Sequence, residues 1–242
     1  MKTYIHALLD PNLRRLSIRI GLFAAVLIGC TFQQQMQPQE GPQHRFESAI
    51  QAFEELDQGN PIPPGRILFV GSSSIRGWQT LEEDFADYGV LNRGFGGSEL
   101  SDVLHFFDRV VVPYQPRQIF LYEGDNDVAA GESPEIIFGH FKTFVHLVRE
   151  KLPGTPIVFI SIKPSASRKQ FIPAMATTNQ LIERYCAHED DLTFIDIFHP
   201  MLDENGYPIA DIFKADSLHM NSAGYNLWQS IIAPYLLPEI KH

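Results

Sequence analysis

Short apolar runs alternate with longer amphipathic stretches over most of the chain. The runs are Ile67–Val70, Val90–Leu91, Gln118–Tyr122, Ile157–Ser161 and Leu192–Ile197. They are rich in Ile, Val and Phe and nearly continuous, as expected of strands covered on both faces rather than wetted on one. Between them, Pro134 to Lys151 repeats apolar residues at helical spacing, with Ile137, Phe141, Phe144, Val145 and Val148 on one face. Two further stretches, roughly Pro173 to His188 and Ser222 to Leu236, predict helices in the same way. Strand and helix in alternation imply right-handed crossovers. The predicted fold is therefore α/β, a three-layer α/β/α sandwich around a mostly parallel five-stranded sheet.

Upstream of this region the pattern changes twice. From His44, the residues Phe46, Ile50, Phe53 and Leu56 form one apolar stripe and predict a helix packed on the main domain. Gly59 and the Pro61–Gly65 segment end it and act as a spacer. Residues 31–43 are polar and rich in Gln and Pro, a tether with nothing to bury and expected to be disordered. Before that, Lys2, Arg14, Arg15 and Arg19 precede an apolar run from Ile20 to Gly29. As a helix this run rises only about 15 Å, half of a hydrocarbon core roughly 30 Å thick. It is too short for a permanent span and has the length of a signal-peptide core.

Leu27-Ile28-Gly29-Cys30 resembles a bacterial lipobox, in which the cysteine receives a lipid and becomes the mature N-terminus. That resemblance implies a signal peptide over 1–30, lipidation of Cys30, and membrane association through an N-terminal lipid anchor in the bacterial cell envelope. Thr31 rather than aspartate after Cys30 favours the outer membrane, facing the periplasm. A plain secretory signal, or a cytoplasmic chain with an apolar N-terminal helix, are the other readings. The helix and spacer then occupy 44–64, and the main domain 65–242. With Cys30 lipidated, Cys186 has no partner in the chain, which excludes a disulfide scaffold. Cys186 falls in a helical pattern and reads as a buried structural thiol.

Charge narrows the partners. Nineteen Lys and Arg face 29 Asp and Glu, a formal net charge of −10. A surface of that sign repels phosphate backbones, so nucleic acid is not an expected partner.

In parallel-sheet folds functional residues collect just past the carboxyl ends of the strands. The first such exit reads Gly71-Ser72-Ser73-Ser74-Ile75-Arg76-Gly77-Trp78. A serine on a sharp strand-to-helix turn can expose its hydroxyl and keep its N–H free near a helix N-terminus, which suits a nucleophile. Taken alone, the same serines are more simply helix caps. The second exit, Asn92-Arg93-Gly94-Phe95-Gly96-Gly97-Ser98, is backbone that bends sharply or approaches something closely. It is not a dinucleotide fingerprint, because Glu99 falls where the third glycine belongs. It is either an ordinary tight turn or a free N–H aimed at a substrate oxygen.

The third exit, Glu123-Gly124-Asp125-Asn126-Asp127, offers a neutral amide donor at Asn126. A turn is its simpler reading, and the calcium-loop glycine and glutamate are missing at their offsets. Ahead of the last helix, Asp216 and His219 are three residues apart, a spacing that lets a carboxylate orient an imidazole. Of nine histidines, His219 is the one the sequence places beside a plausible orienting acid near a strand exit.

No single segment is specific, but their order is. Gly-Ser-Ser-Ser-Ile, Asn-Arg-Gly-Phe-Gly-Gly, Gly-Asp-Asn-Asp and Asp-Ser-Leu-His together resemble the blocks of the SGNH hydrolases, the G-D-S-L-like serine esterases and lipases, in family order from about Arg66 to the end. The resemblance implies a flavodoxin-like fold and acyl transfer from carboxylic esters. It assigns Ser73 as nucleophile and Asp216 and His219 as the rest of the triad. Ser73, Gly97 and Asn126 become the oxyanion hole, with Gly94 the weaker match for the glycine. Serine 72 stands where the family has aspartate, which leaves Ser72 and Ser74 as alternatives to Ser73. Neither metal nor organic cofactor is implied.

The expected partner is a small-molecule, lipid or glycan ester, with a carbohydrate O-acetyl ester as one alternative. Arg76 and Arg93 are candidate substrate contacts or structural partners of carboxylates, and Trp78 a core anchor. The loop from Pro200 to Phe213 is expected to shape the acyl pocket. An α/β-hydrolase elbow is excluded because Ile75 stands where G-x-S-x-G needs glycine. A non-catalytic envelope binding lipoprotein of the same fold is the second class, and the retained Ser, Asn, Asp and His argue against it.

Overall fold

Each apolar run becomes a strand: β1 (Ile67–Gly71), β2 (Val90–Gly94), β3 (Gln118–Tyr122), β4 (Ile157–Ile160) and β5 (Leu192–Ile195). The computed structural model describes residues 44–238, and every element below belongs to one compact unit running from Arg45. The expected signal peptide over 1–30, Cys30 with it, and the expected tether over 31–43 lie outside the described residues. The strand order is β2-β1-β3-β4-β5, and every neighbouring pair is parallel. Both faces are covered, which is why the runs read as continuously apolar. Ile67, Phe69, Phe120 and Tyr122 enter one core with Trp78 and Trp228; Leu68, Val70, Ile119 and Leu121 enter the other with Phe141 and Phe144. This is the two-residue alternation of a strand dividing its side chains between two layers.

The helices are α1 (Glu47–Gly59), α2 (Ser73–Arg76), α3 (Leu81–Asp84), α4 (Leu100–His105), α5 (Phe107–Val110), α6 (Asp125–Ala130), α7 (Pro134–Lys151), α8 (Ile172–Cys186) and α9 (Ser222–Ile232). In α7 the buried residues are Ile137, Phe141, Phe144, Val145 and Val148, the stripe read from the sequence. Ser133 caps it by accepting the Ile136 N–H, and Pro134 occupies N1, where no N–H is needed. α9 stops at Ile232 rather than continuing to Leu236. Pro234 has no N–H to close the next turn, and Ala233–Tyr235 tightens to 3₁₀. The sequence reading placed no helix between β2 and β3, where α4 and α5 lie. Cys186 is buried, and burial pushes its thiol up to about 12.

α1 corrects one expectation. Leu56 does not continue the apolar stripe; it is 68% exposed. The stripe from Ile50 and Phe53 reaches Asp57 one turn on, as 3.6-residue periodicity requires. Asp57 accepts hydrogen bonds from Tyr114 Oη (2.7 Å) and from the Arg93 guanidinium. Arg109 adds a second polar anchor, donating to Glu47 and Glu54 at 2.7–2.9 Å. The helix is held at its C-terminal end by charge rather than by leucine.

The topology also locates the site. The chain leaves β1 outward to β2 and returns to β3 on the other side of β1. The loops after β1 and β3 therefore diverge at a switch point and leave a crevice at the carboxyl edge.

Candidate active site

Gly71 ends β1 with φ +146°, a backbone conformation that L side chains rarely adopt. A Cβ there would sit 2.9 Å from the carbonyl carbon of Tyr122 and closer still to its oxygen. Only glycine lets β1 turn into α2 this close to β3. The turn then sorts the three serines. Ser72 and Ser74 are buried (1% and 3% exposed), and only Ser73 turns its hydroxyl outward. Ser73 Oγ stands 3.2 Å from His219 Nε2.

His219 is delivered by the loop before α9. Phe213 bridges Met220, the Lys214 N–H donates to the His219 carbonyl (2.7 Å), and Ser217 takes φ +55°. The left-handed Ser217 reverses the chain within four residues, folding the Asp216 side chain back over its successors. Asp216 Oδ1 accepts the N–H groups of Leu218 and His219 at 3.0 and 2.9 Å, and Oδ2 lies 2.7 Å from His219 Nδ1. The His219 ring, then those two N–H groups, hold the Asp216 carboxyl far below the usual carboxylate range. An ionised Asp216 has no proton to give, so His219 Nδ1 carries one and Nε2 faces Ser73 as an acceptor.

The structure contains a second pair of this kind. Asp196 Oδ2 stands 2.8 Å from His199 Nδ1, and Asp196 Oδ1 accepts the Phe198 and His199 N–H groups. His219 is therefore not the only histidine beside an orienting acid near a strand exit. Spacing alone does not separate the two pairs. Among the described residues, His219 bonds a serine hydroxyl and His199, 78% exposed, does not.

Opposite Ser73 lie the second and third exits. Gly94 packs under α2, where a Cβ would come within 2.8 Å of the Ile75 carbonyl carbon. Gly97 has φ +90°, and among the described residues its N–H and that of Ser73 make no backbone hydrogen bond. Asn126 Nδ2 donates to the Ser98 carbonyl (2.8 Å), tying the β3 exit to the glycine loop. Ser98 Oγ is 2.8 Å from Phe95 O and 2.6 Å from Glu123 Oε1. One hydroxyl proton serves only one of those contacts. Burial, then the nearby Asp127 charge, pushes the Glu123 carboxyl well above its ordinary range.

Arg93 is not at the site. It is 7% exposed, pairs with Asp57, donates to Tyr114 Oη (2.6 Å) and Asn92 O (2.9 Å), and stacks on the Phe53 and Tyr114 rings. Its guanidinium has no face left for a substrate, because β2 aims it at α1. Arg93→Met is expected to lower stability by about 2–3 kcal/mol while leaving turnover unchanged. A thermal melt beside an ester assay checks this, and a loss of turnover with an unchanged melt would restore the substrate role. Arg76, by contrast, is exposed, lies against Gly96, and among the described residues its guanidinium makes no hydrogen bond or ion pair. Trp78 is buried in the aromatic core, its indole donating to Asp84 at 2.6 Å.

One group of metal-ligating type occurs among the described residues. Asp127, Glu132 and His140 each bring one ligand atom within 4.8 Å of the others. Asp127 already accepts the Leu100 and Gly124 N–H groups, and Glu132 faces His140 at 3.5 Å. This reads as a capping aspartate beside a carboxylate–imidazole contact.

An all-parallel sheet whose carboxyl edge gathers a serine, a carboxylate-held histidine and free N–H donors defines an acyl-transfer hydrolase scaffold. Residues 66–227 match the GDSL-like lipase/acylhydrolase family, and the chain belongs to it. It is 24% identical over 164 residues to the bovine (Bos taurus) platelet-activating factor acetylhydrolase IB subunit alpha1, covering 66% of this chain and 69% of that one. Among solved structures, it is similar to a GDSL-like lipase from Bacteroides thetaiotaomicron (TM-score 0.66, 21% identity, 77% of this chain and 96% of that one). An acetylxylan esterase mutant from Geobacillus stearothermophilus shares the fold at TM-score 0.58 and 13% identity, over 75% and 98%.

Arg168 and Lys163, which hold the third exit from the β4 side, were missed in the sequence. No spacing rule links them to Asp125 some forty positions earlier.

Proposed function

We propose that the protein hydrolyses carboxylic esters through a Ser73–His219–Asp216 triad and an acyl-enzyme. The observation that carries this is the unbroken relay from Ser73 Oγ to His219 Nε2 (3.2 Å) and from His219 Nδ1 to Asp216 (2.7 Å). Nε2 takes the hydroxyl proton as Ser73 Oγ attacks the ester carbonyl, and Asp216 stabilises the imidazolium that results. The oxyanion is met by the Ser73 and Gly97 N–H groups and the Asn126 amide, each worth roughly 10²–10³ in turnover. The alcohol leaves with the proton from His219. Water, deprotonated by the same Nε2, then attacks the acyl-enzyme carbonyl and releases the acid.

Two of the similar proteins carry names that denote acetyl esters, which supports a short acyl group. A second reading, an O-acylated carbohydrate, is favoured by an open groove of about 340 Å³ where the polar side chains of Gln79, Thr80, Lys214, Asn221 and Asn226 stand beside Met220 and Tyr225. It runs between the α2 turn and the loop that carries His219. The test is hydrolysis of p-nitrophenyl acetate, butyrate and decanoate and of an acetylated xylooligosaccharide, with a fluorophosphonate probe mapped to its site. Turnover with labelling at Ser73 is expected. A protein that neither turns over nor labels is a binding module.

For location, the lipobox-like Leu27–Cys30 supports a lipid anchor at Cys30. A palmitate analogue fed to expressing cells is expected to mark the wild type and not Cys30→Ala. Equal labelling of both removes that reading.

A further inference from the structure

The amide of Asn126 has two ends, and each is claimed by a different element. Nδ2 donates to the Ser98 carbonyl at 2.8 Å, and Oδ1 accepts from Arg168 Nη2 at 2.9 Å. Arg168 has no acceptor and a carbonyl has no donor, so these contacts admit only one of the two amide orientations. One Nδ2 proton is spent on Ser98. Among the described residues, the other has no partner.

Arg168 comes from the 3₁₀ segment Ala166–Phe171 after β4, where its own backbone leaves helical geometry (φ −117°, ψ 26°). Its other nitrogen, Nη1, donates to Asp125 O (2.7 Å) and Asp125 Oδ1 (2.6 Å), so one guanidinium grips two consecutive residues. Asp125 already has a cation: Lys163 Nζ, 1% exposed, lies 2.9 Å from Oδ2. A second cation is not needed to neutralise that carboxylate, but a fork is needed to reach Asn126 as well. The same segment touches the base loop, the Ser167 N–H donating to the Ser217 carbonyl at 3.2 Å.

We infer that Arg168 is a positioning residue that locks the Asn126 amide in its donating orientation and polarises it toward the substrate oxyanion. This rests on the reading of Asn126 as an oxyanion donor. Charge donated into Oδ1 leaves the Nδ2–H groups more positive, the cooperative strengthening of linked hydrogen bonds. Holding the amide from both ends means it need not reorganise when negative charge develops on the substrate.

The experiment is a double-mutant cycle on p-nitrophenyl acetate with Arg168→Met, Arg168→Lys, Asn126→Ala and Arg168→Met/Asn126→Ala, each checked by its melting midpoint. Arg168→Met is expected to lower kcat roughly 10- to 100-fold with KM changed less than about 3-fold. In the Asn126→Ala background the same change should cost less than about 3-fold, because the group it acts through is gone. Arg168→Lys, which keeps a cation on Asp125 without the fork, should remain impaired. It carries the test alone if Arg168→Met fails to fold. An equal loss in both backgrounds, an unchanged kcat, or full activity in Arg168→Lys overturns the inference while the triad stands. Absence of Ser73-dependent hydrolysis in the wild type removes both.

Discussion

His219→Ala is expected to abolish all but a trace of ester turnover, lowering kcat by about 10⁵–10⁶, and Ser73→Ala to do the same. The double variant is no worse than either, because a nucleophile without its base and a base without its nucleophile are equally idle. The geometry sets this expectation. His219 Nε2 is 3.2 Å from Ser73 Oγ, and among the described residues no other histidine bonds that hydroxyl. Asp216→Asn costs less, about 10⁴, since the ring stays near its place while its preferred tautomer is lost. Single-turnover assays with p-nitrophenyl acetate measure all four. If His199→Ala rather than His219→Ala removed activity, the second Asp-x-x-His pair would be the working one and the assignment here would fall.

Gly71→Ala is expected to destabilise the protein by at least about 3 kcal/mol, enough to threaten folding of a domain of ordinary stability. Two costs combine. The backbone at φ +146° disfavours any side chain, and the added methyl would overlap the Tyr122 carbonyl, which the Ser72 N–H needs at 3.2 Å. Relief would require β1 and β3 to separate at Gly71↔Tyr122, the register that sets Ser73 beside the β3 exit. Gly154→Ala is the control. It also has positive φ (+84°), but nothing lies within 4 Å of its added methyl, so it should cost only about 1–2 kcal/mol. Urea unfolding of both reads the difference. Equal losses would mean that backbone strain alone, and not the closeness of β3, governs Gly71.

Much of the architecture was legible because burial imposes periodicity. The α7 stripe and the five strands followed from residues that had to face a core, and each core-facing choice is a local one. The failures are equally physical. Leu56 looked like the continuation of an apolar stripe, but the face of α1 is completed by Asp57, whose partners Arg93 and Tyr114 lie far along the chain. Arg93 looked available for substrate because it adjoins the glycine loop. A strand alternates its side chains, however, and Arg93 points toward α1.

For the site, sequence order supplied the family blocks, and with them Ser73, Gly97, Asn126, Asp216 and His219 as candidates. It assigned Ser73 by family resemblance but left Ser72 and Ser74 as alternatives, since residue type alone does not separate three serines in a row. It also left Asp196–His199 indistinguishable in spacing from Asp216–His219. Those choices depend on direction: which hydroxyl the Gly71 turn exposes, and which imidazole the left-handed Ser217 brings to it. The Arg168 fork depends on it too, since Asp125 and Asn126 meet Arg168 only after β3 and β4 pair. Chain-local chemistry (residue type, period, turn propensity) determined the layers, the strands and the set of reactive groups. The tertiary structure alone decided which of those groups touch, because a hydrogen bond of about 3 Å between residues 146 positions apart is set by packing and by nothing nearby in the chain.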